Sequence, residues 1–253
     1  MSEELTSRVA IVTGANSGLG YAVAERLAKE GAIVILADAR DPSECVQRIA
    51  AKYSGEFLPR IADVSNPEQV QKLYDDCQTV YGRLDYLVNS AGINRVNTIP
   101  DATTEEWDSI VNTNLKGVFL NCKAAIPLMT QSGGGSIVNI GSTFAFTGNP
   151  KSAIYSATKG GVHQLTKCMA VDHTAQGVRI NCVAPGPVDT PMLHKEIGEH
   201  LDPTEMEAGM LKGLPISRIA TPEEISNVVY FVLSDEASYM TGSIVVVDGG
   251  ECL

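Results

Sequence analysis

The chain has 253 residues, of which 44% are hydrophobic and 19% charged, enough apolar content for a buried core and too much for a disordered chain. Thirty acidic residues against 19 basic ones leave a formal charge of -11 with no basic run, which argues against a protein that binds a nucleic-acid backbone. A phosphate-bearing small ligand is still compatible with that charge, because backbone N–H groups at a helix start can hold it.

Short apolar strands alternate with longer helical periods from the start. Val9–Val12 reads as a strand, Ser17–Glu30 as a helix, and Ile33–Ala37 as a second strand. A helix follows near Ser43, with Asp41 as its cap and Pro42 at its first position. Phe57–Ile61 is the third strand, and Ser65-Asn-Pro-Glu68 reads as a capping box that opens the next helix. Asp85–Val88 and Ser136–Ile140 supply strands four and five, the latter preceded by a turn at Gly133-Gly-Gly135. A helix is expected from Trp107 to Met129 and another from about Tyr155 to Ala175. A strand follows at Arg179–Val183, then a helix opened by Thr221-Pro-Glu-Glu224 and a last strand at Ile244–Val247.

This order predicts an α/β chain: a Rossmann-like, doubly wound parallel sheet of about seven strands with helices on both faces. No repeat or linker divides it, so residues 1–253 are expected to form one domain. The segment 191–215 falls outside the alternation. Met192, Leu193, Ile197, Leu201, Met206, Met210, Leu211 and Leu214 recur there at helical spacing, and a substrate lid of one or two short helices is expected.

Six cysteines are scattered without a C-x-x-C pair, which fits free thiols in a reducing compartment. Met1–Ser7 carries two glutamates, and the apolar run after Arg8 breaks at Thr13 and Gly14. No signal peptide or membrane span is therefore expected, and a cytoplasmic location is. The four histidines, His163, His173, His194 and His200, form no H-E-x-x-H or zinc-ligand pattern, so no metal is expected.

Between the first strand and helix stands Thr13-Gly14-Ala15-Asn16-Ser17-Gly18-Leu19-Gly20, a glycine-rich turn suited to a pyrophosphate at a helix start. It lacks the Lys-Ser/Thr ending of a phosphate loop. Asp38 ends the second strand, where a carboxylate can accept from both ribose hydroxyls and repel a 2'-phosphate. NAD is thereby favoured over NADP, although Arg40 stands nearby. Tyr155 and Lys159 share one helix face, and an ammonium beside a phenol favours phenolate. Ser142 closes the fifth strand. Asn114 lies within an apolar helical stripe, so its amide must bond either local backbone or a water chain.

Together these motifs resemble the short-chain dehydrogenase/reductase family. Asp63-Val64, Asn89-Ser-Ala-Gly92, Pro185-Gly186 through Thr190 and Asp248-Gly-Gly250 extend the likeness over nearly the whole chain. The resemblance implies that Ser142 holds the substrate oxygen and that Tyr155 is the general acid-base. It also implies that Lys159 binds the nicotinamide ribose and lowers the tyrosine pKa, with Asn114 supporting a water relay. Gly14, Asn16, Ser17, Gly18, Leu19, Gly20 and Asp38 would then hold the phosphate and adenosine end. Asp63 and Val64 would border the adenine, Asn89, Ala91 and Gly92 would line the cofactor's path, and Pro185, Gly186, Val188 and Thr190 would meet the nicotinamide. Ser90 departs from the family's usual asparagine, which removes one amide locally. A homotetramer is implied as well.

Substrate contacts are expected from Arg95, Phe144, Lys151, Met192 and His194, an apolar wall with basic options for a carboxylate, phosphate or sulfonate. The expected reaction interconverts a small secondary, cyclic or polyhydroxy alcohol with its ketone. Reduction of a 3-oxoacyl thioester, or dinucleotide binding without turnover, are the alternatives.

Overall fold

A computed structural model describes residues 5, 7–198, 202–212 and 214–253. Seven parallel strands form one sheet: β1 Val9–Thr13, β2 Ile33–Asp38, β3 Phe57–Ile61, β4 Tyr86–Asn89, β5 Gly135–Ile140, β6 Val178–Pro185 and β7 Ile244–Val247. Their spatial order is β3-β2-β1-β4-β5-β6-β7, so the direction of winding reverses between β1 and β4. The expected doubly wound parallel architecture is the one observed.

Alternation along each strand divides the core in two. Ala10 and Val12 of β1, with Val34 and Leu36 of β2, face one side, where they pack under α1 (Gly18–Lys29), α2 (Ser43–Ala50) and α9 (Pro222–Leu233). Val9, Ile11 and Ile35 face the other, under α3 (Pro67–Tyr81), α5 (Gly117–Gln131) and α6 (Ala153–His173). Strands buried on both faces need continuous apolar runs, which is why these segments do not alternate in polarity. At one sheet edge, β3 carries Pro59 and an exposed Ile61, features that a central strand would not tolerate.

Several boundaries differ from the sequence reading. Pro42 occupies the N-cap of α2 rather than its first turn, and Asp41 Oδ1 accepts from Ser43 N (3.0 Å) and Ser43 Oγ (2.6 Å). Asn66, and not Ser65, caps α3: its Oδ1 accepts from Glu68 N (3.0 Å) and Gln69 N (3.2 Å) because Pro67 fixes the first helical residue one place later. Ser65 instead donates to Asp63 Oδ1 from its backbone (2.8 Å) and hydroxyl (2.7 Å). The helix expected from Trp107 to Met129 is α4 (Thr104–Val111) and α5 joined by a π turn at Asn112–Lys116. Gly133 and Gly134 make the expected turn before β5.

The excursion after β6 contains α7 (Pro191–Gly198) and α8 (Pro203–Lys212), which pack on each other. Leu201 and His200 lie outside the described residues. Among the described residues no helix is long and apolar enough to cross a membrane.

Candidate active site

The carboxyl ends of β1, β2, β4, β5 and β6 open into a cleft of about 1040 Å³. In an open parallel sheet this edge, at the point where strand order reverses, is where the backbone leaves a crevice. Of the residues singled out in the sequence, Gly14, Ser17, Gly18, Leu19, Gly20, Asp38, Asp63, Val64, Ala91 and Gly92 line the cleft at one end. Ser142, Phe144, Tyr155, Lys159, Pro185, Gly186, Val188, Thr190, Met192, Arg95 and Lys151 line the other. Asn16, Asn89, Asn114 and His194 do not.

At the first end the chain is packed as closely as glycine permits. A Cβ on Gly14 (φ +67°) would lie 2.7 Å from Ala91 Cα, and one on Gly20 only 2.2 Å from the Gly14 carbonyl oxygen. The buried Thr13 hydroxyl ties the turn to the end of β4, accepting from Ser90 N (3.1 Å) and Ala91 N (3.2 Å) and donating to Val88 O (3.3 Å). Ser17 makes no side-chain capping bond to α1, and the first turn of that helix carries no acidic residue. Its leading N–H groups and positive dipole end are therefore presented to the cleft. Asp38 accepts from Asn16 N (3.2 Å) and Arg40 N (3.0 Å), which fixes its carboxylate at the rim. Asn16 acts from behind, its carbonyl oxygen accepting from Cys45 Sγ at 3.3 Å. These features fit a dinucleotide: a glycine cradle that a Cβ would fill, an uncapped helix start and a rim carboxylate.

Asn89 serves as a strut below the cleft. Its Nδ2 donates to Asn139 Oδ1 (2.8 Å), and Asn139 Nδ2 donates to Thr166 Oγ1 (2.9 Å), so β4, β5 and α6 are bolted together by buried amides. The Asn114 side chain bonds both backbone and a side chain. From the π turn its Oδ1 accepts from Ile93 N (2.9 Å), while its Nδ2 donates to Ile93 O (2.9 Å) and to Thr158 Oγ1 (3.3 Å). Because Thr158 Oγ1 donates to Tyr155 O (2.7 Å), Asn114 holds the loop after β4 against the turn that carries Tyr155.

The Ser142 hydroxyl favours the charged form of the Tyr155 phenol, and Phe144 meets the Tyr155 ring edge-on with centroids 5.9 Å apart. Lys159 Nζ donates to Ile140 O (2.7 Å) and stands 5.4 Å from the Tyr155 ring centroid. Burial pushes the phenol up to about 12, and the Ser142 hydroxyl only partly offsets it. This differs from the depression expected beside an ammonium. The cause is the desolvation of the phenol itself, and burial likewise lowers the Lys159 ammonium to about 8.

His194 turns outward to Asp189, Nε2 to Oδ1 2.7 Å, with both side chains exposed. Arg95 is exposed and donates from Nη1 to Asn94 O at 2.8 Å. Among the cleft residues that escaped the sequence reading are two acids. Glu196 reaches in from α7, where its Oε2 accepts from Asn94 Nδ2 (3.3 Å) and its charge raises Tyr155 further. Glu251 closes the opposite wall. Neither has a local motif, since one lies among several acids of an excursion and the other is two residues from the end of the chain.

The fold and cleft define a doubly wound protein of the dinucleotide-binding class. Residues 14–251 match the family described as enoyl-(acyl carrier protein) reductase. The cis-4-hydroxycyclohexanecarboxylate dehydrogenase of Sinomonas cyclohexanicum is 38% identical, with 99% of this chain and 98% of that one covered. The 3-oxoacyl-(acyl-carrier-protein) reductase FabG of Thermotoga maritima is 36% identical over 97% and 98%. A crystal structure of a short-chain type dehydrogenase/reductase from Mycobacterium marinum superposes with a TM-score of 0.92 at 32% identity, covering 99% of this chain and 97% of that one. The chain belongs to the short-chain dehydrogenase/reductase family and is an oxidoreductase acting on CH–OH groups.

Proposed function

We propose that this protein interconverts a small secondary alcohol, cyclic alcohol or polyol with its ketone, using NAD and Tyr155 as general acid-base. One observation carries the reading: Ser142, Tyr155 and Lys159 line the same cleft whose other end holds Asp38 and the uncapped start of α1. A bound nicotinamide dinucleotide supplies the hydride acceptor or donor.

The protein's part is positioning and proton transfer. Ser142 directs its hydroxyl at the substrate oxygen, and Tyr155 takes the alcohol proton during oxidation or returns it during reduction. Lys159, held by the Ile140 carbonyl, binds the nicotinamide ribose and stabilises the phenolate. Pro185, Gly186, Val188 and Thr190 form the wall against the nicotinamide, and Asp63 and Val64 that against the adenine. The loop after β4, pinned by Asn114, keeps Ala91 and Gly92 along the same path.

Asp38 supports NAD over NADP, because its rim carboxylate accepts from ribose hydroxyls and repels a 2'-phosphate. Residues 1–253 act as one domain, with 191–215 as a substrate lid from which Met192 and Glu196 border the cleft. A cytoplasmic homotetramer is part of the reading. It is supported by the exposed Trp107 and Phe119 on α4 and α5 and Val171 on α6, and light scattering measures the subunit number.

Reduction of a 3-oxoacyl thioester is the second reading, supported by the likeness to an acyl-carrier-protein reductase. Steady-state rates with NADH and NADPH, on a panel of ketones and on an acetoacetyl thioester, separate the two. Turnover confined to the thioester, or to NADPH, rejects the first reading.

A further inference from the structure

The short helix α7 carries an acid on the face that it turns to the cleft. Met192, Leu193 and Glu196 share that face by their spacing of three and four, and all three line the cleft. Leu193 is buried and seats the helix, its N–H donating to Thr190 Oγ1 at 3.4 Å. An apolar side chain at position 196 would continue the face, so a half-buried carboxylate there is a cost that packing does not explain.

Asn94 fixes where that carboxylate sits. It is buried on the loop after β4, and its Oδ1 accepts from Arg95 N (2.8 Å), which leaves Nδ2 to donate to Glu196 Oε2 (3.3 Å). The charge stands near the reacting groups: after burial, which raises the Tyr155 phenol most, Glu196 raises it further. Two cations also border this end of the cleft. Arg95 and Lys151 are both exposed, and Arg95 Nη1 is turned back to Asn94 O (2.8 Å), so they stand on the solvent side. The reacting oxygen of a substrate bonds Tyr155, and a substituent on the neighbouring carbon therefore lies in the field of Glu196.

We propose that Glu196 determines specificity by charge: alcohols and ketones with an ammonium or a neutral group beside the reacting carbon are preferred to those with a carboxylate there. This rests on the alcohol–ketone reading above, with Tyr155 as the acid-base. A like charge set against an incoming group rejects it without any new contact, and an opposite charge draws it in. Amino alcohols and amino ketones are then the substrate class that this end of the cleft suits.

The test uses the full-length protein and three cyclohexanols that differ at one neighbouring carbon: 2-aminocyclohexanol, 2-methylcyclohexanol and 2-hydroxycyclohexanecarboxylate. Their kcat/KM values are compared near neutral pH, with NADH binding followed by fluorescence. E196Q keeps the shape and an acceptor for Asn94 but removes the charge. It lowers the amino-to-methyl ratio and raises the carboxylate-to-methyl ratio, each by about fivefold to fiftyfold, the span for one charge acting across a few ångströms of partly screened cleft. E196M, in which an apolar residue continues the face of α7, moves both ratios in the same directions and decides the matter if E196Q does not fold. E205Q removes an equal charge from α8, away from the cleft lining, and leaves both ratios in place. Ratios unmoved in the folded Glu196 variants, ratios that rise or fall together, a wild type that prefers the carboxylate to the methyl compound, or an equal shift in E205Q overturns the proposal. Ratios moving together would make Glu196 a determinant of shape, and an equal shift in E205Q would trace the selection to the overall charge of -11. Wild-type protein that turns over none of the alcohols or their ketones with either coenzyme overturns the alcohol–ketone reading itself, and this inference falls with it.

Discussion

Tyr155 holds its proton firmly, because burial outweighs the favourable effect of the Ser142 hydroxyl and leaves the phenol at about 12. Replacing it with phenylalanine removes the acid-base group and keeps the ring that Phe144 packs against. Turnover in Y155F is expected to fall by at least about a hundredfold with NADH binding retained, as read by steady-state kinetics and fluorescence titration. Unchanged turnover would instead place the chemistry elsewhere in the cleft. Lower on α6, His163 is buried against Phe146, ring centroids 4.8 Å apart, and burial followed by repulsion from Lys159 and Lys167 depresses it to about 4. Since its unfolded value is about 6.5, the unfolded chain binds the proton first as pH falls. Stability from this residue is complete above about pH 6.5 and lost as pH falls through about 4, by roughly 1 to 3 kcal/mol. Urea unfolding of wild type and H163Q at pH 7 and pH 4.5 measures it: the variant should lose less on acidification.

Individual elements owe their limits to short polar signals that were readable to within a residue. The Thr221 capping box opens α9 as expected, with Thr221 Oγ1 accepting from Glu224 N (3.4 Å) and Glu224 Oε2 accepting from Thr221 N (2.9 Å). At α3 the reading was off by one, because Ser65 and Asn66 are both good caps and only the position of Pro67 chooses between them. N66A should therefore lower stability by about 1 kcal/mol while S65A costs less, a difference that thermal melting resolves. The π turn at Asn112–Lys116 was not readable at all. One extra residue in a turn shifts hydrogen bonds without changing which side chains are apolar, yet it aims Asn114 at Ile93.

At the scale of the molecule, distant segments are fastened by buried charges. Arg179 at the start of β6 donates to the carbonyls of Val232 (3.0 Å), Leu233 (2.8 Å), Ser234 (3.0 Å) and Met240 (3.2 Å). It thus closes the negative end of α9 and ties the approach to β7 to the sheet. R179M leaves those acceptors without a donor and should cost about 2 to 4 kcal/mol, visible as a lowered Tm with little change in the kcat/KM of the folded enzyme. Asp85, nearly inaccessible, does the same beneath β1: burial works against its charge, but hydrogen bonds from Arg83, Val9 N and Arg8 prevail and keep its carboxyl below the ordinary range.

The seven strands, their parallel packing and the two ends of the cleft were legible in the chain, because a strand buried on both faces must be apolar and a phosphate turn must be glycine-rich. What the linear order left open was every matter of approach in space. Asn114 and Asn89 bind protein groups rather than line the cleft, His194 points to Asp189, and the ammonium of Lys159 is desolvated. Glu196 and Glu251 reach the cleft from separate elements that only the crossover connections bring together. Periodicity reports which face of an element is buried. It carries no record of what lies across from that face, and the charge state of a side chain depends on the second of these.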